Sequence, residues 1–250
     1  MEFHPEFDAG AGLASPQINR LTSEVLPTVF VGSFSIEVIE ALAAEKHVSI
    51  VAREHALDGW RNVYRWHDET SDFLFGHVPV GAVGAIGHLE EVITLGVQHV
   101  VAFGTVGLLT ETAADVFIPA KALRDEGMSR HYTADKTGII ANKDKNVQQL
   151  VEFFKTQDLA HEVVTTWTTD AFYRETPKRL ALAKSVGASV VEMEMAAFFA
   201  WAEFRGLDFY GFMHRADSLA GDVWDGAIHV GFPQKLRYFE IAQAFAQTLT

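Results

Sequence analysis

The sequence contains no cysteine, which excludes disulfides, thiolate metal sites and cysteine nucleophiles. Basic residues are scarce as well: 20 Lys and Arg stand against 33 Asp and Glu, a formal charge of −13. Nucleic acid and anionic membranes both require a basic face, so neither is expected as a partner. A small anionic ligand stays possible, because a local Arg, Lys or backbone N–H suffices for it. No hydrophobic run approaches the length of a membrane span, and the acidic start "MEFHPEFDAGAG" has no apolar signal-peptide core. A cytoplasmic location is the expectation. The eleven histidines are scattered, without HExxH, and GxSxG is missing, so neither a metal site nor a serine hydrolase is expected. The stretch Gly81-Ala82-Val83-Gly84-Ala85-Ile86-Gly87 is GxxGxxG rather than GxGxxG, and no acid closes the next strand. It reads as a tight strand–helix turn, not a dinucleotide site, and no cofactor is expected.

What is present is apolar and ordered. Hydrophobic residues make up 48% of 250, enough for one large core. Short apolar runs alternate with helical periods. "TVFVGSF" ends a strand, and in "SIEVIEALAAEK" Ile36, Ile39 and Leu42 share one helix face. "VSIVA", "DFLFGHVPV", "VQHVVAF", "DVFIPAKAL", "EVVTTWT", "ASVVEM" and "LDFYGFMH" read as strands. "AIGHLEEVITLG", "NVQQLVEFFKT", "ETPKRLALAKSVG", "AAFFAWAEFRG" and "KLRYFEIAQAFAQTL" read as helices. Repeated strand–turn–helix order predicts a single-domain α/β fold with a central mixed β-sheet flanked by helices. No stretch is rich enough in Pro, Gly or Ser to mark a linker. Residues 21–250 are therefore expected as one domain, preceded by an arm at 1–20 that is loosely held or used in oligomer contact.

In such folds ligands sit beyond the carboxyl ends of strands. The residues there include Gly32-Ser33-Phe34-Ser35, Gly104-Thr105-Val106-Gly107 (read as a turn), Thr169-Asp170-Ala171-Phe172-Tyr173, Glu192-Met193-Glu194 and Arg215-Ala216-Asp217-Ser218. Small residues, hydroxyls, aromatics and acids dominate, which suits a polar ligand with one flat apolar part. Glu192 and Glu194 lie two apart, so an extended junction would turn both toward one cleft. A plainer reading makes them first-turn acids favoured by the helix dipole. Buried acids are costly unless they bind something, and their apolar flanks argue for burial.

The segments "VVEMEMAAFFAWAEFRG", "VVAFGTVGLLTETAADVFIPAKALRDEGMSRHY", "TTDAFYRET" and "RADSLAG" together resemble the nucleoside phosphorylase family. That family includes bacterial purine nucleoside and uridine phosphorylases and the methylthioadenosine nucleosidases. The likeness runs in order from about residue 27 to 225. It implies a partly barrel-like sheet, a homo-oligomer (dimer or hexamer) and cleavage of the N-glycosidic bond of a purine-like nucleoside. It further implies that Glu194 accepts the ribose 2′ and 3′ hydroxyls, Met193 lies on the sugar face and Phe172 stacks on the base. Glu192 would line the base side, and Asp217 would be the general acid at N7. Thr105, Gly32 and Ser33 would form the anion site. Tyr173 is read as a core aromatic.

The sequence departs from that family where the phosphate should bind. The first turn, Gly32-Ser33-Phe34-Ser35, lacks the Gly-Asp-Pro run and its following arginine, and the position of a second arginine is Ala102. Arg53, which closes "VSIVA", is the first candidate for a replacement cation. Phosphate is expected as acceptor by a small margin, with water as the alternative. A nucleoside-binding protein without turnover is the reading from another class.

Overall fold

Strand β6 (His99–Leu108) is the hub of the sheet. The computed structural model describes residues 7–57, 59–221, 223–226 and 230–249. Among them, β6 pairs with β2 (Val29–Ser33), β10 (Ala188–Glu192) and β11 (Asp208–Ser218). On one flank, β2 continues through β5 (Asp72–His77), β4 (Gly59–His67) and β3 (Val48–Ala56) to the two-residue β1 (Asn19–Arg20). On the other, β10 leads through β9 (Glu162–Thr169) and β7 (Val116–Asp125) to β11, which returns to β6. That return closes a circuit, with the short β8 (Ile139–Ala141) attached to β7. The sheet is therefore mixed and partly barrel-like, as expected. Parallel pairs such as β2–β6 and β6–β11 lie beside antiparallel ones such as β6–β10 and β3–β4.

Helices cover both faces. One core layer holds α2 (Ala82–Ile93) and α5 (Met195–Arg205); the other holds α1 (Ile36–Leu42), α3 (Asp144–Thr156) and α6 (Phe232–Ala246). A smaller cluster contains Ala183 of α4 (Pro177–Ser185) and Trp167 of β9. No helix among the described residues is long and apolar enough to cross a membrane.

Helix α5 shows why the sequence folds as it does. Its residues Met195 to Ala202 are all buried, because "MAAFFAWA" is apolar on every side. Arg205 Nε and Trp201 Nε1 donate to Glu90 Oε1 on α2 and lock the two helices together. Gly206 closes α5 in the left-handed region, at φ 70°.

The structure differs from the sequence reading in several places. Gly104-Thr105-Val106-Gly107 is not a turn but part of β6, and Arg215-Ala216-Asp217-Ser218 is the end of β11; the two stretches pair with each other. Strand β4 was unforeseen, since "GWRNVYRWH" carries charges without clean alternation. Helix α1 stops at Leu42 and buries Val38, Ile39 and Leu42, leaving Ile36 exposed. Within the stretch expected as an arm, Phe7 meets Phe204 edge-on, Gln17 N–H donates to Glu91 Oε2, and β1 pairs with β3; these contacts lie within one chain and do not bear on an oligomer contact. Residues 1–6 lie outside the described part.

Gly206→Ala should lower stability by about 1–2 kcal/mol, the cost of a left-handed residue with a Cβ. Thermal unfolding checks this, and an unchanged melting temperature would contradict the closure.

Candidate functional site

The site begins as a gap in strand pairing. One edge of β6 pairs with β2 as far as Phe103 and with β10 from Gly107, so Gly104–Val106 has no partner strand on that side. A cavity of about 630 Å³ opens there. Its floor is Thr105, Val106 and Gly107 of β6 with Met213 of β11. Glu192, Met193 and Glu194, between β10 and α5, form one wall; Asp217 of β11 and Leu219 beyond it form another. Phe34, Val80, Phe172, Tyr173, Glu175 and Trp224 complete it from loops.

The two acids of the β10–α5 junction have different environments. Glu192 Oε1 accepts from Thr168 Oγ1 at 2.5 Å and Thr166 Oγ1 at 3.1 Å. Its Oε2 accepts the backbone N–H groups of Glu194 and Met195, both at 2.6 Å. Thr168 Oγ1 in turn accepts the N–H of Ala196. Glu192 is thus the cap of a buried helix N-terminus, where unpaired N–H groups and the dipole favour a carboxylate. Its base-side role, implied by the resemblance, competes with four donors already in place.

Glu194 is 4% exposed and lines the cavity. Its Oε1 accepts the Gly81 N–H at 2.5 Å. Gly81 precedes α2 at φ 91°, a conformation that favours glycine and turns its N–H toward Glu194. The glycine-rich turn of the sequence therefore positions this acid. Burial pushes both carboxyls above the ordinary range, and the charge of Glu192 adds to the rise at Glu194. Because Glu192 has more donors, the proton the pair retains sits on Glu194. Glu175 is pushed up to about 7 by burial and by nearby Asp217.

Asp217 Oδ2 accepts from Trp224 Nε1 at 2.6 Å, and a Cβ on Gly107 would reach within 3.0 Å of its Oδ1. Phe172 and Tyr173 stand with ring centroids 4.1 Å apart at 49% and 88% exposure. Tyr173 is thus an exposed cavity aromatic, which corrects its reading as a core residue. A short 3₁₀ turn, Phe172–Arg174, presents both rings where a buried helix would have enclosed them.

The expected anion site is arranged differently. Thr105 lines the cavity, but from a strand paired with His214 rather than from a turn of free N–H groups. Gly32 and Ser33 do not line it. Gly32 is pressed against Val78, where a Cβ would come within 2.6 Å of Cγ2, and Ser33 is 1% exposed with its Oγ accepting the Ser35 N–H. Phe34 lies over Gly104 instead, close enough that a Cβ there would meet its ring at 2.7 Å. Arg53 is also away from the cavity: its Nε donates to Asn62 Oδ1 and its guanidinium lies 5.9 Å from the Trp60 ring centre. None of the described residues lining the cavity is Lys, Arg or His. Glu175 and Trp224 were missed in the sequence. The acid could have been found from "TTDAFYRET"; Trp224 carries no local signal.

A buried acid that holds its proton in the fold opposes folding once the unfolded chain has lost that proton. Stability should therefore fall between about pH 5 and about pH 8, and Glu194→Gln should remove part of that fall. At about pH 8 the variant should melt about 2–4 °C higher, relative to its own value near pH 5, for each kcal/mol of strain relieved. Parallel melting profiles for the two proteins would contradict the assignment.

The sequence model of the phosphorylase superfamily matches residues 30–244. A relative, "Purine nucleoside phosphorylase DeoD-type 1" of Shewanella oneidensis, is 25% identical over 197 residues, covering 76% of this chain and 80% of its own. Among solved structures, a purine nucleoside phosphorylase of Toxoplasma gondii in complex with immucillin-H superposes with a TM-score of 0.71. The two share 17% identity, with 89% of this chain and 90% of the other covered, so the likeness shows a common fold. Strand circuit, cavity and sequence match agree: the chain belongs to the phosphorylase superfamily.

Proposed function

We propose that this chain cleaves the N-glycosidic bond of a purine-like nucleoside, with water as the acceptor. The observation that carries the reading is the lining of the cavity: Glu194, Met193, Phe172, Thr105 and Asp217 meet there, and no described residue that lines it is basic. Glu194 accepts the ribose hydroxyls, and Met193 lies against the sugar. Phe172 stacks on the base. Asp217, oriented by Trp224, gives a proton to the departing purine, which relieves the charge left by the bond electrons. The sugar passes through an oxocarbenium-like state, which surrounding carboxylates stabilise. Water then adds at C1′ and releases a proton, which restores the acid form of Asp217.

Phosphorolysis is the second reading, supported by family membership and by the name of the relative. It asks a nearly doubly charged anion to enter a cavity lined by four acids and, among the described residues, by no cation. A second copy of the chain would have to supply the missing charge, with Arg53 the first candidate.

Chromatography of a purine nucleoside incubated with and without phosphate separates the readings. Free base and free sugar should form at the same rate in both. Sugar phosphate, formed only with phosphate and with a raised phosphate KM in Arg53→Ala, would overturn the choice of water. Binding without base release would overturn catalysis and leave a nucleoside-binding protein. Asp217→Asn should lower kcat on a natural purine nucleoside by about 10²–10⁴-fold; an unchanged kcat would remove Asp217 from the mechanism.

A further inference from the structure

Resting on the reading that Asp217 gives a proton to the departing base, we propose that Glu175 and Asp217 work as one acid, two carboxyls of the same cavity that hold a single proton between them. The first support is placement. Glu175 follows the 3₁₀ turn Phe172–Arg174, and its N–H donates to the Phe172 carbonyl at 3.3 Å. The acid is therefore carried by the turn whose ring is assigned to the base. Asp217 reaches the same cavity from β11. It can lie against the backbone of β6 because residue 107 is glycine, where a Cβ would come within 3.0 Å of Oδ1. The two acids are near enough for the charge of Asp217 to oppose the ionisation of Glu175.

The second support is the difference in their partners. Asp217 Oδ2 accepts the indole N–H of Trp224, which leaves Oδ1 as the oxygen open to a proton or to the base. Glu175 is partly buried, yet its side chain has no hydrogen bond or ion pair among the described residues. One carboxyl is thus oriented for transfer, and the other is left without a donor to favour its charge.

The surroundings supply no countercharge. The other titratable groups lining the cavity are Tyr173, Glu192 and Glu194, and none of the described residues there is basic. Arg174, next to Glu175 in the chain, is exposed and outside the lining. Arg179 is paired with Asp125, and Arg215 with Asp115. Two neighbouring carboxyls without a cation resist losing both protons, and the last proton belongs to the pair rather than to either residue.

The step balances. Asp217 passes the shared proton to the departing base as the electrons of the C1′–N bond move onto that base. Both carboxyls are then charged. Water forms the C1′–O bond, and the proton it gives up returns to the pair. Glu175 in this way keeps an acid available at Asp217 up to a higher pH than a single aspartate would.

The test has two arms. In carboxyl carbon NMR of labelled glutamate, with the signal assigned by Glu175→Gln, Glu175 of the unliganded protein should titrate at about 7. In Asp217→Asn it should titrate lower by about one unit or more, because the neighbouring charge is gone. The second arm follows kcat/KM against pH for whichever of adenosine, inosine and guanosine is cleaved fastest. The wild-type value should hold to about pH 7 and fall above it. In Glu175→Gln the fall should begin at lower pH, so the ratio of wild type to variant should grow about tenfold between about pH 5 and about pH 7. Loss of a merely structural contact would leave that ratio constant. A Glu175 signal indifferent to Asp217→Asn, or a ratio that does not change with pH, would overturn the shared proton and leave glycosidic cleavage standing. No base release from any of the three nucleosides would overturn the cleavage reading, and the NMR arm would still decide the pair.

Discussion

The Glu192 carboxylate, held by four donors, fixes the rest of the site. Thr166 and Thr168 reach it from β9, and the first N–H groups of α5 reach it from the other side. One buried charge thus joins the end of β10, the neighbouring strand and the apolar first turns of α5. Met195 to Ala202 have no polar face with which to choose an orientation, so this cap sets where the helix begins. Once Glu192 turns inward, Glu194, two residues on, meets the Gly81 N–H and the cavity. The two acids look redundant in the sequence and divide the work in the structure.

The cavity itself is a consequence of topology. β6 cannot pair with β2 and β10 over the same residues, and the interval between them leaves backbone open at Gly104–Val106. Glycines at 104 and 107 let Phe34 and Asp217 approach that backbone closely. Phe34, where a phosphate-binding turn was expected, gives the floor an apolar neighbour rather than a cationic one. Four acids line the cavity, and none of the described residues that line it is basic.

Much of this was legible in advance, for identifiable reasons. Apolar runs of four to six residues bounded by glycine marked β2, β6 and β10, because buried parallel strands need no alternation. The helical period marked α3 and α6 through Leu150, Phe153, Phe239 and Phe245. Phe172, Met193, Glu194 and Asp217 come together because each follows or lies at the end of a strand, and Thr105 meets them from the stretch of β6 left unpaired between β2 and β10. What failed was local. Glycines inside β6 were read as a turn, since nothing in "FGTVG" tells a turn from a close approach of neighbouring side chains. Tyr173 was placed in the core because aromatic type alone does not report exposure. Arg53 was placed near the site from its position at a strand end, but β3 lies three strands away from β2, beyond β4 and β5. The partners of Glu192 were invisible, because Thr166 and Thr168 lie more than twenty residues upstream.

The division of labour between the two glutamates is the central claim, and carboxyl carbon NMR of isotopically labelled glutamate tests it most directly. With signals assigned by Glu192→Gln and Glu194→Gln, the Glu194 resonance of the unliganded protein should titrate well above the ordinary carboxylate range, because burial and the Glu192 charge both oppose its ionisation. Glu192 should lose its proton first, held ionised by its donors. A Glu194 signal that titrates near 4.5, the ordinary value, would contradict the account.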